Sequence, residues 1–160
     1  MDARFAVVLR DPELTTRTLV DEGRVLRRLT RRVGAGLLVA DRLDLALALD
    51  ADGVHLGRAS VPVCDARRLV GQRLVTRSVH DDEELARAIA EGADAVLVSP
   101  VFESPGKASS LGVARLATMR ATLPPAIALV ALGGVSGARV AACLEAGADG
   151  VAAIRADLTR

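Results

Sequence analysis

Seven short, nearly continuous apolar runs recur along this chain of 160 residues, and they constrain its fold more than any other feature. Runs of this kind are typical of parallel strands that are buried on both faces. The predicted strands are Phe5 to Arg10, Gly36 to Ala40, Gly53 to Leu56, Arg73 to Ser78, Ala95 to Val101, Ala126 to Leu132 and Gly150 to Ile154. Strands of this kind, separated by helical segments, indicate an α/β protein with a parallel sheet.

Helical patterns lie between these runs. Thr15 to Val33 repeats apolar residues at helical spacing and carries arginines on its other face. Asp81 to Glu91 opens with acidic residues, which are favourable at a helix N-terminus. Ser136 to Ala146 follows two glycines, and Gly147 is its predicted C-cap.

An internal repeat refines the fold class. The pattern Ala-Asp-(Gly or Ala)-Val occurs around Asp52, Asp94 and Asp149, each time where a predicted helix ends and a strand begins. We interpret these aspartates as parts of helix-to-strand turns on the stability face of the sheet, and not as ligands. Three turns of one type favour a repeating βα barrel, and no G-x-G-x-x-G motif opens a helix as a dinucleotide-binding fold requires.

Composition excludes several classes of function. The chain has no Trp, no Tyr and two Phe, so it lacks the aromatic platforms on which single-stranded nucleic acids stack. A net charge of +1 argues against binding of a phosphate backbone. No apolar run reaches the roughly 18 residues of a membrane span, and the N-terminus has no signal-peptide pattern. We therefore expect a cytoplasmic protein with a small-molecule ligand, no nucleic-acid partner and no membrane partner.

The scarce cysteines and histidines leave few candidates for catalysis. Cys64 and Cys143 match no metal-binding spacing and are expected to be buried thiols without a disulfide. His55 lies inside an apolar run and is expected to be a hydrogen-bonded core histidine. His80 follows a strand end, where it could act as an acid–base group or only cap the helix that begins at Asp81.

The ends of the predicted strands collect the polar residues and glycines. In a barrel of parallel strands, the chemistry takes place at the C-terminal ends of the strands. The segments at these ends are Arg10-Asp11, Asp41-Arg42, Leu56-Gly57-Arg58, Ser78-Val79-His80, Phe102 to Lys107, Gly133-Gly134 and Arg155. Gly133-Gly134 would present backbone N–H groups at a strand-to-helix turn, which suits an anion, unless it is a tight turn with no ligand.

Five blocks in collinear order carry a resemblance to a known family. They are Leu37 to Ala46 with Ala51 to Gly57, Arg77 to His80, Ser99 to Lys107, Ala131 to Val135, and Ala148 to Ala152. Together they resemble the thiamine phosphate synthase and TenI superfamily over about residues 5–157. The resemblance implies a TIM-type (βα) barrel in one domain, 5–157. Because that barrel has eight strands and we count seven, we expect a truncated form without the first βα unit and the last helix.

The synthase of this family joins two phosphorylated molecules. A pyrimidine pyrophosphate loses pyrophosphate, and a thiazole phosphate captures the resulting cation. The resemblance implies that Arg10 and Asp41 hold the pyrophosphate and its Mg²⁺, although the two residues could also form an ordinary ion pair. The family's lysine, asparagine and second metal aspartate are replaced here by Pro12, Ala40 and Ser60. One carboxylate with a hydroxyl is a poor Mg²⁺ site, so we expect Asp41 to be a weak ligand and Mg²⁺ to matter only if synthase activity survives.

TenI-type proteins share the fold and catalyse a proton shift in a thiazole, a reaction that needs no metal. The resemblance places their acid–base histidine at His80, where a group that titrates near neutral pH is suited to the work. It also implies a set of residues that bind the substrate and its phosphate. These are Arg10, Ser78, Ser104, Lys107, Gly133 and Gly134. Arg155 stands where the family usually has a serine, and it could add a bidentate charge to the phosphate site or be a solvated C-terminal arginine.

These observations favour a TenI-like thiazole tautomerase that binds thiazole phosphate or thiamine phosphate. An active synthase and a degenerate domain that only binds phosphorylated ligands are the alternatives. Because the lysine and the second carboxylate are missing, we expect the transferase reaction to be absent or slow. We also expect self-association through the edges of the first and last predicted strands, since unpaired strand edges favour it.

Overall fold

The structure is a computed structural model that describes residues 5–103 and 109–154, in which seven strands alternate with six helices. The strands are β1 Ala6–Leu9, β2 Gly36–Ala40, β3 Gly53–Leu56, β4 Leu74–Val79, β5 Ala95–Val98, β6 Ala128–Ala131 and β7 Gly150–Val151. The helices are α1 Thr16–Val33, α2 Leu43–Ala48, α3 Val63–Val70, α4 Asp82–Ala90, α5 Val113–Thr122 and α6 Gly137–Glu145. Within the described ranges, no helix has both the length and the apolar character needed to cross a membrane.

The first compact unit, Met1–Thr76, contains three parallel strands and the start of a fourth. β1 pairs with β2 from Ala6–Gly36 to Leu9–Val39, and β2 pairs with β3 from Leu38–Gly53 to Ala40–His55. At the start of β4, the Leu74 N–H donates to the Asp52 carbonyl at 3.0 Å. Every residue of β2 and β3 is buried, so these two strands are part of the core of this unit.

The second compact unit, Arg77–Arg160, contains the end of β4 and the last three strands. The Ser99 N–H, just after β5, donates to the Val79 carbonyl at the end of β4 at 3.0 Å. β5 pairs with β6, and β6 pairs with β7, both in parallel. The strands are therefore neighbours in chain order from β1 to β7, as a repeated βα unit requires.

All seven predicted strands are confirmed, and four of them, β1, β5, β6 and β7, are shorter than predicted. β5 ends at Val98 and β7 ends at Val151, although the apolar runs continue to Val101 and Ile154. After β5 the Val101 N–H donates to the carbonyl of Leu132, which lies beyond the end of β6. The apolar run thus continues into a loop whose backbone groups are paired outside the strand ladder.

The three predicted helices are present, with ends that differ by one residue. Thr15 and Asp81 are N-caps whose side chains accept hydrogen bonds from Thr18 N–H and Glu84 N–H. The residue that caps α6 is Ala146, and Gly147 follows it in a left-handed conformation (φ 91°). α2, α3 and α5 were not predicted; α2 has only six residues, which is too short for a clear helical period.

The prediction that both cysteines are buried is wrong for Cys64, which is exposed, while Cys143 is buried as expected. Cys64 lies in the first turn of α3, whose buried face is formed by Val63, Ala66 and Val70. These positions follow the helical spacing, so Cys64 falls outside the buried stripe. The apolar sequence around it gave the wrong expectation because the helix was not recognised.

Asp52 and Asp149 confirm the predicted structural role of the repeated turns. The Asp52 carboxylate accepts the Leu37 N–H at 2.7 Å and pairs with both terminal nitrogens of Arg27 at 2.6 and 3.1 Å. In the second unit, Asp149 accepts the Leu129 N–H at 2.8 Å and pairs with Arg120 at 3.2 Å. Each aspartate therefore ties the start of one strand to a backbone N–H of the strand before it.

The Asp52 ion pair is largely buried, since the side chains of Arg27 and Asp52 are only 14% and 11% exposed. Burial acts to raise the pKa of Asp52, but the hydrogen bonds from Arg27 and from the Leu37 N–H outweigh it, and the net pKa lies below the usual 3.8. Asp149 is 55% exposed, so its pair with Arg120 is the weaker of the two.

We predict that Asp52→Ala lowers the free energy of unfolding by roughly 3–5 kcal/mol, because it leaves a buried guanidinium without its partner. The matched change Asp149→Ala should cost only about 1–3 kcal/mol, the range for a backbone donor left unpaired. Urea denaturation of both variants measures this difference. Equal losses would contradict the assigned roles.

The same pair predicts a pH dependence. The folded pKa of Asp52 lies below its unfolded value of 3.8, so its contribution is fully present above that value and is lost as the pH falls through the folded pKa. Asp52→Asn should therefore have a flatter stability profile below pH 3.8 than the parent.

Candidate active site

Asp41 follows β2 and has an unusual backbone conformation, with φ at 61°. A non-glycine residue rarely adopts this left-handed conformation, and such residues are concentrated at functional sites. Its N–H donates to the His55 carbonyl at 2.9 Å, and its Oδ1 accepts the Gly57 N–H at 3.0 Å. The same oxygen accepts a hydrogen bond from the Ser60 hydroxyl. Backbone and side chain together fix this carboxylate at the ends of β2 and β3.

The surroundings of Asp41 keep its carboxylate ionised. Burial acts to raise its pKa, but the hydrogen bonds from Ser60 and Gly57, together with the charges of His55 and Arg10, hold it below the usual value. The Ser60 hydroxyl thus stabilises the negative charge of the Asp41 carboxylate.

A cavity of about 250 Å³ opens at this end of the first unit. Arg10, Asp11, Asp41 and Arg42 supply its charged groups, and apolar side chains of β1, β2, α1 and α2 supply much of the rest of its lining. The structure therefore brings the predicted pair Arg10 and Asp41 to one cavity. Arg42 is engaged elsewhere, since it donates to both carboxylate oxygens of Asp44 and to the Thr16 hydroxyl.

The described residues offer little for a metal bound by the protein alone. Among them, no group of three or more His, Cys, Asp and Glu side chains could hold a metal ion. Mg²⁺ is nevertheless commonly bound by one or two carboxylates together with substrate phosphates. Asp41 supplies one such carboxylate, so the residues fit a Mg²⁺ ion that is bound together with a phosphorylated substrate.

His55 is a hydrogen-bonded core histidine, as predicted. Its side chain is buried, and Nδ1 lies 2.9 Å from the Thr76 hydroxyl, which itself donates to the Val54 carbonyl at 3.3 Å. Because the hydroxyl proton is used on Val54, His55 Nδ1 is the donor of this pair. The backbone carbonyl of His55 in turn holds the N–H of Asp41.

In the second unit, His80 is tied to the start of α4. Its backbone N–H and its Nδ1 both lie 2.8 Å from Glu84 Oε2, while Asp81 accepts the Glu84 N–H. The side chain of His80 is 21% exposed, and Ser78 is half-buried at the end of β4. The N-cap of α4 is Asp81, so the His80 side chain does not cap this helix as the alternative expected. Its contact with the Glu84 carboxylate orients the imidazole, and the acid–base role stays a prediction.

Gly133 and Gly134 form the turn between β6 and α6, with φ at 91° and 63°. A side chain on Gly133 would lie 2.7 Å from Pro100 Cα, and one on Gly134 would lie 2.9 Å from Phe102 Cβ. Both glycines are therefore required by close packing against the loop after β5, whether or not a ligand binds. The turn lies between a strand and a helix as predicted, and its binding of phosphate stays a prediction.

Three predicted ligand residues, Ser104, Lys107 and Arg155, lie outside the described residues. Sequence reasoning missed the role of Ser60 as a donor to Asp41, because a serine was interpreted only as the loss of a carboxylate. It also missed Arg139, whose position in the first turn of α6, just after the glycine turn, was the available signal.

Comparison with known proteins decides the family. Residues 3–156 match the family described as thiamine monophosphate synthase. The chain belongs to this family. It is 42% identical over 153 residues to a thiamine-phosphate synthase of Chloroflexus aurantiacus, covering 94% of this chain and 70% of that protein. A thiamine-phosphate synthase of Methanoculleus marisnigri is 44% identical over 154 residues, covering 94% of this chain and 72% of its own length.

A solved structure of a family member confirms the fold. Thiamine phosphate pyrophosphorylase from Pyrococcus furiosus matches with a TM-score of 0.85 and 34% identity, covering 93% of this chain and 71% of that one. The predicted α/β fold of the TIM-barrel type is thereby confirmed. The relatives carry the synthase name, so they do not support the expected preference for a TenI-like tautomerase and favour the synthase alternative.

The hydrogen bond between Ser60 and Asp41 gives a direct prediction. Ser60→Ala removes a donor from the carboxylate, so the pKa of Asp41 should rise toward its usual value. Ser60→Thr keeps a hydroxyl and serves as the matched control. A carbon-13 NMR titration of the Asp41 carboxyl carbon measures both variants, and an unchanged pKa in Ser60→Ala would contradict the assignment.

Proposed function

We propose that this protein catalyses the thiamine phosphate synthase reaction, which joins a pyrimidine pyrophosphate to a thiazole phosphate and releases pyrophosphate. The observation that carries the proposal is a cavity that both Arg10 and Asp41 line. The Asp41 carboxylate is held there by hydrogen bonds from Gly57 and Ser60. The names of the relatives support the same reaction.

In this reaction the carbon–oxygen bond to pyrophosphate breaks first. The electron pair leaves with the pyrophosphate, and the thiazole nitrogen then forms a carbon–nitrogen bond to the pyrimidine cation. Arg10 offers a permanent positive charge to the leaving group at the cavity. The fixed carboxylate of Asp41 cannot bind an anion by itself, so its role requires a cation between it and the leaving group.

Mg²⁺ bound to the substrate pyrophosphate would supply that cation and neutralise the developing charge. On this chain Asp41 is the residue that would hold it. The oxygen ligands that the family draws from its second aspartate would come from substrate and water, because Ser60 donates to Asp41.

Asp41→Asn is the decisive variant. It keeps the shape of the side chain and removes its charge, and we expect synthase turnover to fall by at least about 10²-fold, the loss typical when one electrostatic group is removed. Thiamine phosphate formed from the two substrates with Mg²⁺ is measured by chromatography. Asp21→Asn, at an exposed carboxylate of α1 that pairs with Arg24, is the matched control and should remain active.

Two outcomes would contradict the proposal. One is a parent protein that forms no thiamine phosphate while it remains folded. The other is an Asp41→Asn variant as active as the parent.

His80 supports a second candidate, the thiazole proton shift predicted from the sequence. Glu84 holds Nδ1 of His80, so an acid–base step would use Nε2. The assay separates the two functions, because His80→Ala would abolish tautomer conversion and leave coupling to the pyrimidine measurable.

We further propose that the Gly133–Gly134 turn binds the phosphate of the substrate through backbone N–H groups. Gly134→Leu is a poor test, because a side chain there collides with Phe102 regardless of any ligand. Titration with inorganic phosphate followed by nitrogen-15 NMR is the better test. The amide signals of Gly134, Val135 and Ser136 should shift, and those of Gly71 and Gly92, in other positive-φ turns, should not. Absence of any selective shift at the turn would contradict phosphate binding.

The remaining expectations stay predictions. They are the single domain 5–157, the cytoplasmic location and self-association. The exposed side chains of β1 support self-association, since Val7 and Val8 are apolar and are 39% and 40% exposed.

A further inference from the structure

Arg139 connects the glycine turn to the loop that follows β5. Its guanidinium donates to the Gly134 carbonyl at 2.8 Å and lies over the ring of Phe102, 4.6 Å from the ring centre. Phe102 and Gly134 are separated by 31 residues in the sequence, so this side chain bridges two distant segments of the second unit.

The position of Arg139 in its helix is electrostatically unfavourable. It is the third residue of α6, where the helix dipole carries a partial positive charge, and cations are normally found at the opposite end. The first turn of α6 contains no acidic residue that would compensate. Its contacts with Gly134 and Phe102 are the interactions that offset this cost.

The glycine turn has its acceptors already occupied. The carbonyls of Leu132, Gly133 and Gly134 accept hydrogen bonds from the Val101 N–H at 2.9 Å, the Phe102 N–H at 3.0 Å and Arg139 at 2.8 Å. An unpaired carbonyl beside a phosphate would repel it. Arg139 supplies the third of these donors, and it is the only one of the three that comes from a side chain.

We propose that Arg139 is a positioning residue, which holds the Gly133–Gly134 turn in its anion-binding conformation by bridging the Gly134 carbonyl and the Phe102 ring. The inference rests on the phosphate role of this turn within the proposed function. Arg139 acts through the turn, so its removal should weaken the affinity for a phosphate ligand more than it slows the chemical step.

The test is a series at one position. Arg139→Leu removes both contacts, Arg139→Gln keeps a donor without charge, and Arg139→Lys keeps the charge and can make one contact at a time. We expect Arg139→Leu to raise the KM for thiazole phosphate by about tenfold with kcat within about twofold, and the lysine variant to recover part of the affinity. Arg68→Leu, which removes an exposed arginine on α3, is the matched control and should leave KM unchanged.

A double-mutant cycle with Phe102→Leu tests the bridge itself. If the ring and the guanidinium act together, the double variant should raise KM no more than the larger single change. Additive effects would overturn the bridge. Thermal unfolding of every variant is measured in parallel, and a fall in kcat that tracks lost stability would also overturn the positioning role.

Binding of inorganic phosphate separates this inference from the proposed function. If the parent binds phosphate and Arg139→Leu binds it more weakly, the inference stands even where no thiamine phosphate is formed. If synthase turnover is present and all Arg139 variants keep the parent's KM and phosphate affinity, the inference fails while the proposed function stands.

Discussion

The register of the parallel strands is the constraint on which the candidate site depends, and Asp52 fixes it in the first unit. Its carboxylate accepts the Leu37 N–H at the start of β2 and its own N–H donates to the Leu37 carbonyl at 2.8 Å. A shift of one residue would turn every buried side chain of β3 to its other face. With the register fixed at one end, the His55 carbonyl meets the Asp41 N–H at the other end, and Gly57 comes within reach of the carboxylate. A structural ion pair thus positions a functional group at the opposite end of the strands.

The strands could be predicted because each lies in a nearly continuous apolar run, which is typical of parallel strands in a buried sheet. The structural role of Asp52 in a helix-to-strand turn could also be predicted, because the pattern Ala-Asp-Gly-Val recurs at Asp149. The sequence could not show that Asp41 has a positive φ, since that conformation is imposed by the carbonyl of His55 and by the donors Gly57 and Ser60. These contacts join residues that are 14 or more positions apart in the sequence, so no local pattern predicts them.

The glycine turn shows a second limit of sequence reasoning. A Gly-Gly pair before a helix predicts an anion site, and the structure shows that packing against Pro100 and Phe102 demands the same two residues. Close packing and anion binding are compatible explanations for the two glycines. Packing requires that no side chain is present at either Cα and that the carbonyls accept hydrogen bonds, whereas an anion would bind to the N–H groups. Arg139 contacts the same turn, and the one sign of this in the sequence is its position in the first turn of α6, directly after the two glycines.

The two enzymatic hypotheses differ in what the absence of a second carboxylate means for the site around Asp41. Counting protein ligands alone makes Asp41 with Ser60 a poor Mg²⁺ site and favours a reaction without metal. The substrate of the synthase, however, brings pyrophosphate oxygens of its own, so the protein needs only to fix one carboxylate near them. Ser60 and Gly57 do fix it, and they hold the pKa of Asp41 below its usual value, which keeps the charge in place. In the proposed function, a hydroxyl that orients one carboxylate would serve the same reaction as a second carboxylate, because the substrate would supply the remaining oxygen ligands.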